Sequence, residues 1–204
     1  MIEQLILVRH GETVENVTGI AQGWKDGTLS ELGTQQVAKL ANRIARLEPT
    51  ALFSSPLGRA MATAKAIAGA TSLEIRILDD LREVCLGAWE GRPYLDIRRD
   101  DFDNYARWRD DPESACPGGE SHNDVLHRMQ KAFDAIASHA NGQPTRVVVV
   151  THGTAIRVGA TLLLRAPLMV SRHLAQDNAA INIFDRRGDR FVLRVWNDTT
   201  HCQS

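Results

Sequence analysis

Two stretches of the sequence share one plan. Leu7-Val8-Arg9-His10-Gly11 and Val149-Val150-Thr151-His152-Gly153 each pass from apolar residues through one polar residue into His-Gly. If both apolar runs are strands, both histidines stand at carboxyl ends, where open α/β sheets bind ligands. The glycine after each lets backbone approach a ligand closely. A neutral imidazole there can attack an electrophile and carry the transferred group covalently. Phosphorus is such an electrophile when cations gather its oxygens. Arg9 adjoins His10, and Arg59 follows Ser54-Ser55-Pro56 near the start of a predicted helix. The planar fork of arginine grips two phosphate oxygens, and helix-start N–H groups add to an anion site.

A leaving oxygen also needs a proton. Glu83 and Glu90 both lie after the third predicted strand, and spacing alone leaves both open as the donor. Metal chemistry fits poorly: the seven histidines include no His-Glu-x-x-His and no pair at i, i+4. Only Glu12 and Glu15 stand close to His10, so no metal is expected. His122 and His127 are five apart and are expected on a solvated helix face. No Gly-x-x-x-x-Gly-Lys loop, Gly-x-Ser-x-Gly elbow or Cys with Arg six positions later is present.

The elements that must position these groups follow from periodicity. Residues 5–8 form a wholly apolar run, the signature of a strand buried on both faces. A helix is predicted over 30–48, with Ser30 as N-cap and Val37, Leu40, Ala41, Ile44 and Leu47 on one face. A strand at 51–53, an Ala-rich helix at 57–69 and a strand at 74–78 follow. Residues 84–119, with Trp89, Tyr94, Phe102, Tyr105 and Trp108 among many charges, read as an insertion of short helices and loops. Ser121 and Asp124 suit a capping box before a helix carrying Val125, Met129, Ala132, Phe133, Ile136 and Ala140 on one side. Val147 to Val150 is a second buried strand. A helix, a loop around Pro167 and strands near 180–185 and 191–196 complete the chain. Alternating strands and helices predict an α/β three-layer sandwich, its central sheet mostly parallel and flanked by helices.

Composition bounds the partners. The chain has 204 residues, a net charge of -1, 43% apolar and 24% charged residues. That balance excludes nucleic-acid binding by bulk positive charge and a polybasic membrane-surface protein. No apolar run reaches membrane-span length, and residues 1–10 lack the basic start of a signal peptide. Cys85, Cys116 and Cys202 suggest neither a disulfide framework nor a zinc site, so a reducing, cytoplasmic setting is expected.

Together these residues resemble the histidine phosphatase superfamily, in its phosphoglycerate-mutase-like branch. The resemblance is carried, in order, by Arg9-His10-Gly11-Glu12-Thr13 with Asn16, Gln22-Gly23-Trp24 and Leu29-Ser30-Glu31-Leu32-Gly33. It continues through Ser54-Ser55-Pro56-Leu57-Gly58-Arg59-Ala60, Glu83 with Gly87-Ala88-Trp89-Glu90-Gly91, and Pro117-Gly118-Gly119-Glu120-Ser121. It ends with Thr151-His152-Gly153 and Asn178-Ala179. The resemblance implies that His10 is the nucleophile, that Arg9, Arg59 and His152 complete a phosphate pocket, and that Asn16 and the Gly153 backbone assist. It implies that Glu83, rather than Glu90, is the proton donor and then the base for water, with Gln22 and Gly23 on the substrate side. It implies no metal and no cofactor. It further implies one domain over residues 1–204, whose insertion at about 84–119 caps the substrate. The short, acidic insertion favours a phosphatase of small phosphorylated metabolites. Mutase-type transfer and a non-catalytic phosphate-binding module are the alternatives, and monomer and homodimer both remain open.

Overall fold

The computed structural model describes residues 1–139 and 145–203. Ala140, predicted on the apolar side of the helix that follows Ser121 and Asp124, lies outside the described residues. Strands β1 (Ile2–Arg9), β2 (Ala51–Ser54), β3 (Ile75–Ile77), β4 (Thr145–Thr151), β5 (Ile181–Arg187) and β6 (Arg190–Asp198) form one sheet in the order β3-β2-β4-β1-β5-β6. β3, β2, β4 and β1 pair in parallel, while β5 runs antiparallel to both β1 and β6. The sheet is therefore mostly parallel, as the alternation of elements predicts.

The unbroken apolar runs have a direct cause, since each strand feeds two cores. Leu5, Leu7, Phe53, Val147 and Val149 pack with Val125, Met129, Ala132, Ile136, Ile156 and Val158. These come from helices α6 (His122–His139) and α7 (Gly153–Leu164). Ile6, Val8, Leu52, Val148 and Val150 point the other way, onto Leu40, Ile44, Ala60, Ala64 and Ile67. Those belong to α2 (Glu31–Ala45) and α3 (Gly58–Thr71). Period-2 alternation thus makes three layers from one sheet.

Local chemistry sets the boundaries. Ser30 caps α2 by accepting the Gly33 N–H at 2.9 Å. α2 stops before the predicted residue 48, because Leu47 and Glu48 bond three residues back and Glu48, ahead of Pro49, turns to φ 50°. The Ser121–Asp124 box forms reciprocally, at 2.9 and 3.1 Å, and opens α6. A short helix, α1 (Val14–Thr18), was not predicted, although Thr13 and Asn16 make a capping box and Gly19 closes it at φ 69°. The insertion folds as α4 (Tyr94–Asp100) and α5 (Phe102–Asp110) with a 3-10 turn at Gly87–Trp89.

Candidate active site

β1 and β4 are neighbours, in register to Arg9 opposite Thr151. The two His-Gly units therefore emerge side by side, and the His10 N–H donates to the Thr151 carbonyl at 3.1 Å. The imidazoles of His10 and His152 lie 5.1 Å apart, tilted by 58°. Both are buried, at 3% and 0% exposure.

The orientation of His10 follows from one contact. Its Nδ1 lies 2.8 Å from the Gly11 carbonyl, which can only accept. Nδ1 must then carry the ring proton, and Nε2 keeps its lone pair. Burial, then the charges of Arg9 and Arg59, hold this imidazole well below its ordinary range, against the opposing pull of Gly11. His10 is thus held as a neutral base with Nε2 available. Burial, Arg59 and His10 lower the His152 imidazole in the same way. His152 Nε2 pairs with Ser55 Oγ at 2.8 Å. When Ser55 donates, His152 Nδ1 carries a proton, and that atom is buried without a partner.

Arg59, 1% exposed, stands in the first turn of α3. Its guanidinium donates to the carbonyls of Lys25 and Gly23 at 2.8 and 2.7 Å. Arg9 donates to the Gln176 carbonyl. The Nε groups of both arginines are buried and unpartnered. Buried donors left without acceptors are costly, and an anion among Arg9, Arg59 and His152 would supply acceptors.

Glu83 approaches from the loop after β3. Its Oε1 accepts the N–H groups of Val84 and Ala155 at 2.9 and 3.2 Å, and its Oε2 accepts that of Thr154 at 3.1 Å. A carboxyl offers two lone pairs on each oxygen. The one left over is on Oε2, so a proton on Glu83 belongs there. A Cβ added to Gly153 would lie 3.8 Å from this oxygen and 3.5 Å from Arg9 Cζ, so Gly153 sits between acid and cation.

Glu90, the other candidate donor, is occupied elsewhere. Its Oε1 accepts the N–H groups of Trp24 and Leu86 at 2.8 and 3.0 Å. A Cβ on Gly23, where φ is 54°, would meet that oxygen at 2.2 Å. Glu90 therefore ties the loop before α2 to the insertion. Gln22 and Gly23 serve the same wall: Gln22 Nε2 donates to Thr13 Oγ1 at 2.9 Å, and the Gly23 carbonyl holds Arg59. Asn16 accepts from Asn178 Nδ2 at 3.0 Å, and Asn178 also reaches the His10 carbonyl at 3.2 Å.

An open cleft of about 540 Å³ borders Arg9, Glu83 and Gly153, and is also lined by Tyr94, Arg157 and Arg172. The sequence reading missed both these arginines and Ser55. Arg157 had a signal, being the one charged residue in α7. Of the insertion's aromatics, Trp89 and Trp108 pack into the core, as does Leu86. Arg98 and Arg99 are exposed. One expectation is corrected. His127 is exposed, but His122 is buried at 8% exposure, with ring centroids 4.7 Å from Trp108. Burial lowers its imidazole to about 4. Among the described residues, no group of three or more His, Cys, Asp or Glu is placed to hold a metal ion.

The Glu83 backbone is anchored by Arg128, 9% exposed on α6. Arg128 donates to the carbonyls of Asp80, Arg82 and Glu83, and to both Glu120 oxygens at 2.9 and 3.0 Å. Removing one partner of such a buried pair costs roughly 3–5 kcal/mol. Arg128→Ala should lower unfolding stability by that order in urea titration, and lower kcat by loosening Glu83. A loss below about 1 kcal/mol, within the range of an exposed pair, would contradict the anchoring role.

The histidine phosphatase superfamily (branch 1) profile matches residues 5–199. A bifunctional protein of Mycobacterium tuberculosis is 36% identical over 96% of this chain, but the chain spans only 54% of that relative. A metal-independent phosphoserine phosphatase of Arabidopsis thaliana is 32% identical, covering 100% of this chain and 84% of its own. Among solved structures, mycobacterial glucosyl-3-phosphoglycerate phosphatase complexed with VO3 superposes at TM-score 0.86. It has 34% identity and covers 96% of this chain and 98% of its own. No helix among the described residues is long and apolar enough to cross a membrane. The paired strand ends that hold His10 and His152 thus lie within a match that runs almost the whole length, and the chain belongs to the histidine phosphatase superfamily, branch 1.

Proposed function

We propose that the protein is a metal-independent phosphomonoesterase acting on a small phosphorylated metabolite through a phosphohistidine at His10. The observation that carries this reading is the Nδ1 contact to the Gly11 carbonyl, which leaves Nε2 a neutral nucleophile beside the buried Arg59 and the half-buried Arg9. The Nε2 lone pair attacks phosphorus and the P–O ester bond breaks. The proton on Glu83 passes to the leaving oxygen. Arg9, Arg59 and His152 hold the equatorial oxygens as charge redistributes. Water then gives a proton to the Glu83 carboxylate and attacks phosphorus. The P–N bond breaks, and its electron pair returns to Nε2. Asn16, Gln22, Gly23 and Gly153 hold the pocket's walls. The chain acts as one domain, with residues 84–119 as a cap beside the cleft. The VO3 complex of the mycobacterial relative and the metal-independent name of the plant relative support this reading. The free thiols of Cys85, Cys116 and Cys202 fit a cytoplasmic setting.

The test is hydrolysis of an aryl phosphate with a chelator present. Phosphate release unaffected by the chelator is expected. Chelator-sensitive release, or binding of vanadate without any turnover, would overturn the proposal.

The pH behaviour separates site from fold. His10 is active when neutral and its imidazole is lowered, while Glu83 must hold a proton to donate it, so kcat/KM should not fall between pH 7 and about 5.5, where an ordinary imidazole of about 6.5 would be lost as a nucleophile. Stability should do the opposite. Unfolded imidazoles take up protons near 6.5, whereas buried His10, His122 and His152 resist them. The unfolded state then binds more protons, and stability falls as pH drops below about 6.5. A kcat/KM profile that loses tenfold by pH 5.5, with an unchanged Tm, would contradict both halves.

A further inference from the structure

One tripeptide touches both halves of the site. The guanidinium of Arg59 donates to the carbonyls of Gly23 and Lys25, which flank Trp24. Between them, the indole Nε1–H of Trp24 donates to the Glu83 carbonyl at 2.7 Å. That carbonyl belongs to the rigid peptide plane whose other edge is the Val84 N–H, and the Val84 N–H donates to Glu83 Oε1 at 2.9 Å. Turning this plane turns the acid. Arg128 holds the same carbonyl from α6 at 2.9 Å; Trp24 joins it to the loop that holds Arg59.

Core packing does not account for Trp24. It is 40% exposed, whereas Trp89 and Trp108 are buried at 1% and 9%. Burial of so exposed a ring contributes little, which leaves its polar edge and its face. Both are engaged. The Arg82 guanidinium lies 5.1 Å over the ring, and Asp79 holds Arg82 at 2.9 Å. The Trp24 backbone N–H donates to Glu90 Oε1 at 2.8 Å. The indole is therefore fixed at its face, at its backbone and at Nε1.

We propose that Trp24 is a positioning residue, which sets the Glu83 carboxyl at a fixed reach from the phosphoryl group held by Arg59. The inference rests on the phosphatase reading and adds to it the link between proton donor and phosphate grip.

The test is Trp24→Phe, which keeps an aromatic face under Arg82 and removes the N–H donor. The Gly23 and Lys25 carbonyls are untouched, so the Arg59 grip should persist. Rapid quenching follows phosphorylation of the enzyme by radiolabelled alkyl and nitrophenyl phosphates. Loss of one such hydrogen bond corresponds to roughly three- to tenfold in rate. Phosphorylation by the alkyl ester, whose leaving oxygen needs the Glu83 proton, should slow by that factor. Phosphorylation by the nitrophenyl ester should not change, nor should the inhibition constant of inorganic phosphate. Dephosphorylation, which needs Glu83 as base, should slow after either ester. A merely structural loss would slow phosphorylation by both esters together and weaken phosphate binding. That outcome, or unchanged rates throughout, overturns the positioning role while the phosphatase reading stands. If Trp24→Phe is unstable by Tm, Arg82→Gln carries the test. It uncovers the ring face and should show the same loss, confined to the alkyl ester and to dephosphorylation, with the same two outcomes against it. A wild type that releases no phosphate from either ester overturns the phosphatase reading, and the positioning role with it.

Discussion

His10→Ala is expected to reduce phosphate release by at least ~10⁴-fold, the scale seen when a covalent nucleophile is removed. The reason is geometric. His10 is the imidazole whose Nδ1 is tied to a backbone carbonyl, and whose Nε2 thereby keeps its lone pair. His152 cannot take its place, since its Nε2 is engaged by Ser55 at 2.8 Å. The variant should keep the fold, because the His10 backbone is still held by the Thr151 carbonyl and by Ala179, whose N–H donates to the His10 carbonyl at 3.0 Å. Circular dichroism and Tm should establish that before rates are compared. Residual activity above about 1% of wild type, far above what a lost nucleophile permits, would place the nucleophile elsewhere.

Glu83→Gln is the second large effect, expected at about 10²- to 10⁴-fold for an alkyl phosphate. An amide cannot give a proton to the leaving oxygen or take one from water. The two steps should respond differently. With an aryl ester whose phenolate leaves without help, His10 should still be phosphorylated, and only hydrolysis of the phosphoenzyme should slow. Stopped-flow traces should then show a burst of phenolate of about one per enzyme before a slow steady state. The amide's NH₂ would also face the Ala155 or Thr154 N–H that the carboxylate now accepts, so a modest fall in stability is expected. Equal rate losses for alkyl and aryl esters, with no burst, would contradict the acid-base assignment. Glu90→Gln should show neither signature, because Glu90 is spent on the N–H groups of Trp24 and Leu86.

Much of this site is written in local sequence. Leu5 to Val8 and Val147 to Val150 are apolar on both faces because the strands feed two cores, and the same pattern places a His-Gly at each carboxyl end. Strand order is not written there. That β4 lies directly against β1, so that the two imidazoles come within 5.1 Å, depends on long-range pairing. The choice between Glu83 and Glu90 needed the resemblance, because two carboxylates on one loop differ only in which N–H groups they meet. His122 misled because a histidine in a polar helix start reads as solvated; Trp108, fourteen residues earlier, covers it. α1 and Arg157 were legible but unread: the first in Thr13-x-x-Asn16 and Gly19, the second as a lone charge in an apolar helix.

A bond between phosphorus and His10 Nε2 should form in every turnover. Its most direct test is rapid quenching of wild type with radiolabelled substrate, followed by peptide mapping of the retained phosphate. The structure predicts label on the peptide containing His10, stable in base, lost in mild acid and absent from His10→Ala. Acid-stable label on a serine or threonine, or none at all during confirmed turnover under conditions where the Glu83→Gln variant should accumulate it, would contradict the account.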